Sequence, residues 1–323
     1  MAGGPMKRVV TSGDLTQRAM RPAGLVETYL AHVQEDIVRF DLLQGARTRG
    51  CPACGGTGAP EFERFGFPYH RCAACRSVFV SPMPEEHRLA RYHAEGAAER
   101  FRLEQLLPAT ADVRVRHAVE PRARWVMAAA VAHLGPGLTM AQFGVESPRL
   151  LEFLHASVSV VQWPDTLTGD PARPRIHGAI AFDVLERSTD FSRALHGCRL
   201  ALHPRGLLFV TTMSGEGFEV RMLGRRTAAL VPPVHLQLLS RAGWVAALTR
   251  EGFTLVEYST PGELDVQAVA DVCRQESDLV LPPIIDELVR HKDPQVGRAL
   301  QELLQQACLS SHVQLIAEAG IDS

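Results

Sequence analysis

Residues 138–156, LTMAQFGVESPRLLEFLHA, decide how this chain is read. Leu138, Met140, Ala141 and Phe143 form a short apolar run behind the breaker Gly135-Pro136-Gly137, which predicts a buried strand. Gly144 ends the run. Ser147 stands as an N-cap with Pro148 at the first helical position, a strong helix start. Leu150, Leu151 and Leu154 then give the helix an apolar stripe. A strand that enters a helix through a glycine turn is where α/β folds hold nucleotide-like ligands. This turn has one glycine where a cofactor cradle usually has two or three.

Downstream, strand and helix patterns alternate. Residues 158–161 read as a second strand, followed by a polar loop over 165–175. Residues 179–182 form a third strand, ending in Asp183-Val184-Leu185-Glu186-Arg187. Ser188, Thr189 and Asp190 offer caps for a helix over 191–201. His203-Pro204-Arg205-Gly206 reads as a turn before a buried strand over 207–212. Ser240 caps a helix that runs to Arg250, Gly252 closes it, and 253–258 is a strand. Residues 265–307 are helical with a break at Pro282-Pro283, and 312–317 alternate as a last strand. This order predicts a mostly parallel sheet with helices on both faces.

Upstream, residues 1 to about 21 read as a loose tail. Val26, Tyr29, Leu30, Val33, Ile37 and Phe40 recur at helical steps over 23–44, a docking helix. Cys51-Pro52-Ala53-Cys54 and Cys72-Ala73-Ala74-Cys75 follow, with 17 residues (55–71) between them. Two such pairs grip one ion from two tight turns. Four thiolates suit tetrahedral Zn²⁺ and leave no open position for water, so the predicted metal is structural. Phe62, Phe65, Phe67 and Tyr69 alternate between the pairs as a strand, and 78–80 supply a return strand. After the break Ser81-Pro82-Met83-Pro84, residues 85–93 look helical. The stretch from Arg88 to Arg124 is rich in arginine; the acidic residues mixed into it favour a solvated face over an RNA- or phosphate-facing one. Residues 122–134 form an Ala-rich helix leading into the central strand.

The bulk properties narrow the classes. The chain has 323 residues, 46% of them hydrophobic, which suggests about two domains with a packed core. A net charge of −2 gives no general attraction to nucleic acid or acidic membranes. No window resembles a membrane span or a secretory signal, so a cytoplasmic protein is expected. Cys198, Cys273 and Cys308 are scattered and read as small buried hydrophobes.

Several segments together resemble the class I S-adenosylmethionine-dependent methyltransferases that carry an N-terminal zinc ribbon. RCAACRSVFVSPMP at 71–84 is similar to the family's second zinc knuckle and the Asn/Ser-Pro-x-Pro turn after it. FDVLERSTD at 182–190 resembles its fourth-strand motif, with Arg187 in place of a histidine. HPRGLLFVTT at 203–212, PPVHLQLLS at 232–240 and LSSHVQLIAEA at 309–319 resemble later segments. The resemblance implies a seven-stranded Rossmann-like α/β sheet with an N-terminal helix and a small four-cysteine zinc ribbon. The expected divisions are a tail and docking helix over 1–47, the ribbon over 48–84, a helical linker over 85–118, and a methyltransferase-like domain over 119–323 with a helical insertion at about 263–307.

The resemblance also implies a site. S-adenosylmethionine would lie over Gly144, Glu146, Gln162 and Asp183, with Glu186 or His235 as a base acting on a small-molecule or sugar-like substrate. Cys51, Cys54, Cys72 and Cys75 would hold Zn²⁺. The cofactor motif departs from the family: Gly144-Val145-Glu146-Ser147-Pro148 replaces Gly-x-Gly-x-Gly, and Gln162 stands where an acidic residue would accept the ribose hydroxyls. Glu146 adds negative charge, Pro148 removes an N–H, and an amide lacks a carboxylate's charge assistance. The alternative reading is therefore a lapsed methyltransferase that serves as a scaffold for a protein partner.

Overall fold

The computed structural model describes residues 10, 15–135, 137–143, 148–154, 158–163 and 175–321. The turn 144–147 and the loop 164–174, and with them Gly144 and Glu146, lie outside the described residues.

Ten strands are present among these residues: β1 (Gly58–Arg64), β2 (Phe67–Cys72), β3 (Val78–Val80), β4 (Leu138–Phe143), β5 (Val158–Trp163), β6 (Ile176–Phe182), β7 (Leu202–Met213), β8 (Gln237–Leu238), β9 (Phe253–Ser259) and β10 (His312–Ala319). Six of them form the main sheet in the order β5-β4-β6-β7-β10-β9. β4 pairs in parallel with β5 and β6, and β6 with β7. β10 runs antiparallel to both β7 and β9. The sheet has six described strands where seven were expected, and it is mostly parallel, as expected, with β10 alone running against the other five.

Side-chain alternation explains the layers. Ala179, Ala181, Leu208 and Val210 face one side, against Phe191, Leu195, Trp244 and Leu248. Ile180, Phe182, Leu207 and Phe209 face the other, against Trp125, Val126, Leu150 and Leu154. Strands apolar on both faces are what a sheet covered on both sides requires. The expected turn at 203–206 is instead an irregularity inside β7: pairing steps from Ile176↔Leu202 to Gly178↔Leu207, with Arg205 in the left-handed region at φ 64°. Helices Phe191–Ala201 and Arg241–Arg250 begin where the sequence placed them, capped by Asp190 and Ser240.

The cysteine segment is joined to the main domain by backbone pairing. β1, β2 and β3 make an antiparallel sheet whose fourth strand is β8, contributed from residues 237–238. Phe65 is not a strand residue as expected. With Gly66 it forms the turn between β1 and β2, at φ 51° and 81°. The docking helix covers Ala23–Arg39 and is preceded by a short helix, Gln17–Met20, in the segment expected to be loose; the Thr16 hydroxyl caps it.

Two irregular helical turns lie between the ribbon and the main sheet. Leu107 N–H bonds to Arg102 O and Glu120 N–H to Val115 O, each five residues back rather than four. Each π-turn ends one residue before a proline, Pro108 or Pro121. A proline has no N–H to continue the ordinary ladder, so the wider bond closes the turn.

Candidate functional site

The four cysteines converge. Their sulfurs all lie within 4.8 Å of one another, with Cys51–Cys75 and Cys54–Cys72 at 3.5 Å. A tetrahedral ion with metal–sulfur bonds of about 2.3 Å sets its sulfurs roughly 3.8 Å apart, so the donor set fits Zn²⁺. The two knuckles repeat one pattern. Gly55 N–H bonds to Cys51 O and Arg76 N–H to Cys72 O, while Cys51 N–H bonds to Gly56 O and Cys72 N–H to Ser77 O. Gly55 and Arg76, the equivalent residues, both have positive φ. At Gly56 a Cβ would press on the Cys72 and Cys54 sulfurs at 3.3 and 3.4 Å, so the wrap tolerates little there.

The metal site is buttressed by the main domain. The Ser240 hydroxyl donates to Cys75 O, and Arg250 donates to Ala53 O at 2.7 Å and Pro52 O at 3.2 Å. The Tyr69 hydroxyl, from β2, donates to His235 O at 2.8 Å. Arg49 donates to Leu236 O and to Gln237 Oε1.

His235 belongs to the second site, a cavity of about 770 Å³ beyond the carboxyl ends of β6 and β7. Asp183, Glu186, Arg187 and Met213 line it from the strand ends. Glu219 and His235 line it from the connections, and His312 from the start of β10. The π-turns supply Leu103, Leu106, Val115 and Val119. The stretch read as a solvated arginine face thus turns partly inward: Arg102, Arg114 and Arg122 line the cavity.

Asp183 follows β6 in the left-handed region, at φ 51°, with its N–H held by Thr211 O. Its Oδ2 accepts from Arg122 Nη1 at 3.1 Å, and the other end of that guanidinium meets His312 Nε2 at 2.8 Å. The carboxylate assigned to a cofactor is therefore already engaged by an arginine. Glu186 is 2% exposed, and neither carboxyl oxygen has a hydrogen-bond partner among the described residues. Burial, then the charge of Asp183, pushes its pKa up to about 8; Arg187 and Thr212 only temper this. Burial likewise pushes Glu219 up to about 7. His235 and His312 go the other way, lowered to about 4 by burial, and then by Arg187 and Arg122 respectively.

These directions change the roles expected of Glu186 and His235. His235 Nδ1 faces the Val231 backbone, 3.1 Å from its N and 3.3 Å from its O. His235 is then a neutral imidazole with one N–H and one lone pair, and Glu186 a protonated donor, at neutral pH. Gln162 is placed only by its backbone, opposite Gln142 across the β4–β5 pair. Glu219, His312, Arg122 and the π-turns escaped the sequence reading. A proline ending each arginine-rich turn was the one local signal that pointed to them.

No family model matches the chain, and no curated protein matches it. Solved structures do. The chain is similar to a Burkholderia thailandensis 1,6-didemethyltoxoflavin-N1-methyltransferase with bound S-adenosylhomocysteine, at 13% identity over 81% of this chain and 99% of that one, TM-score 0.41. It is similar to an S-adenosylmethionine-dependent methyltransferase from Mesorhizobium loti, at 13% identity over 62% and 100%, TM-score 0.35. The cyclase SpnF is also similar, at 13% identity over 62% and 81%, TM-score 0.34.

Proposed function

We propose that the chain is a methyltransferase-type protein that binds S-adenosylmethionine over the ends of β4 and β5 and a small acceptor molecule in the cavity, with Zn²⁺ held by Cys51, Cys54, Cys72 and Cys75. One observation carries the reading. The strand order changes direction between β4 and β6, and the cavity opens next to that point, at the carboxyl ends of β6 and β7, the edge of the sheet on which open α/β folds bind ligands. The donor, when bound, supplies an electrophilic methyl group. The chain's own residues orient the acceptor: the His235 ring and the Glu186 carboxyl offer it hydrogen bonds, and the apolar residues of the π-turns cover part of it. Transfer to an acceptor that is already nucleophilic needs placement above all, so the lack of a strong base at neutral pH is compatible with it. Zinc ties the ribbon to the wall that carries His235 and takes no part in transfer.

The alternative, a lapsed enzyme that retains the cavity, is favoured by the sequence of the turn, where Glu146 and Pro148 replace groups that would donate to a bound nucleotide. Calorimetric titration with S-adenosylmethionine and S-adenosylhomocysteine separates the two. Binding at micromolar concentrations is expected; silence at millimolar concentrations would leave the lapsed reading. Metal analysis of the purified protein is expected to give one zinc per chain, absent in Cys72→Ser.

A further inference from the structure

The cavity is two-sided, and its two sides differ. The floor, at the strand ends, carries Arg187, Glu186, His235 and the Asp183–Arg122–His312 group. The roof is mainly apolar, built by Leu103, Leu106, Val115 and Val119 from the two π-turns, with Arg102 and His117 of the same turns at its side.

Several acceptors at the cavity wall are already engaged. Asp183 is engaged by Arg122. Asp265, also at the cavity wall, is consumed by the Ser310 hydroxyl at 2.5 Å, Ser311 N–H at 2.6 Å and Gln301 Nε2 at 3.0 Å. Burial keeps Glu186 mainly protonated at neutral pH, so it offers an O–H, and pushes Glu219 up to about 7. His235 offers an N–H. At the cavity wall, Arg187 and Arg21 pair with no carboxylate among the described residues: Arg187 Nε donates to the Asp183 carbonyl at 3.1 Å, and Arg21 Nη1 to Gln17 Oε1 at 3.0 Å. A half-buried arginine with no anion, beside a 2%-exposed carboxyl whose oxygens have no partner, lacks its counterpart.

We propose that this counterpart is the carboxylate head of an amphipathic organic acid, held by Arg187 and His235 beside Glu186, with its apolar body lying along Leu103, Leu106, Val115 and Val119. The guanidinium presents two N–H groups to the two carboxylate oxygens, a geometry that a cation or a neutral hydroxyl does not satisfy. A cationic ligand would meet Arg187 at close range in a site that water screens poorly. As a statement about the acceptor substrate, this rests on the methyl-transfer reading. As a statement about the cavity, it is tested without any methyl donor.

The test holds the body constant and changes the head. Octanoate, octanol and octylamine are titrated into the full-length protein by calorimetry at pH 7. Octanoate is expected to bind about tenfold more tightly than octylamine, with octanol between them. Arg187→Gln is expected to reduce octanoate to the affinity of octanol while leaving octanol unchanged, which also reports that the variant is folded. Arg187→Lys keeps the charge and is expected to restore part of the preference. Leu106→Gln is expected to weaken octanoate and octanol together. The proposal is overturned if octylamine binds as well as octanoate, if Arg187→Gln keeps the full preference, or if Leu106→Gln changes neither ligand. A chain that ignores S-adenosylmethionine but ranks the heads as stated loses the methyl-transfer reading and keeps this one; the converse pattern does the reverse.

Discussion

At the scale of single residues, burial sets the chemistry of the cavity more than residue type does. Glu186 has an acidic side chain that cannot act as an acid of ordinary strength. Its folded pKa, about 8, lies above the usual carboxyl value, so the folded state holds a proton that the unfolded state releases. Its contribution to stability is complete below about pH 4.5 and is lost as pH rises through 8. His235 and His312, lowered to about 4, work in the opposite sense: their contribution is present above about pH 6.5 and is lost as pH falls toward 4. Replacing Glu186 by Gln removes the alkaline loss alone. Glu186→Gln is expected to raise the thermal midpoint relative to the parent at pH 8.5 and to change it little at pH 5. Scanning calorimetry at the two pH values checks this, and an equal shift at both would refute the assignment of the proton to Glu186.

At the scale of elements, the π-turns show how backbone defects are used. Each is closed by a five-residue hydrogen bond directly before a proline, and each presents its apolar residues to the cavity. Pro108→Ala restores an N–H that can bond to Glu104 O and return the turn to ordinary helix. The substitution is expected to stabilise the protein by about 1 kcal/mol. The same change rotates Leu103 and Leu106, so octanoate binding is expected to weaken roughly threefold or more. Denaturant unfolding and titration of this one variant should therefore move in opposite directions; an unaltered affinity would mean that the π geometry does not shape the roof. Elements with a strong period or cap were legible in the sequence, such as β4, the Asp190- and Ser240-capped helices and the cysteine knuckles. The π-turns were not, because their cause is a missing hydrogen bond rather than a pattern of side chains. Asp36 is a comparable case: it lies between the apolar positions of the docking helix, yet it is 1% exposed and accepts Ala98 N–H at 2.8 Å. Its partner is 62 residues away, beyond the reach of any local rule.

At the scale of the molecule, the two sites share a wall. Glu186 and His235 stood out in the sequence because they flank strands, but their common surroundings did not, since the groups that shift them come from segments far apart in the chain. The same wall ties the four-cysteine cluster to the cavity. β3 pairs with β8, Val80 N–H bonds to Leu236 O, and Leu236 N–H bonds to Glu186 O, so a continuous line of backbone bonds runs from the second knuckle to the cavity floor. Tyr69 and Ser240 reinforce it from either side. A metal that holds the knuckles therefore also holds residues 235–240. Stripping it with a mercurial thiol reagent and a chelator removes the cross-link but leaves the β4–β7 core, which packs on both faces without it. Hydrogen exchange followed by mass spectrometry is expected to show residues 72–80 and 235–240 losing protection together as one unit, while β6 and β7 keep theirs. Loss confined to the knuckles would mean that β8 is held by the main domain alone, and loss throughout would make the metal a condition of the whole fold rather than of one wall of the cavity.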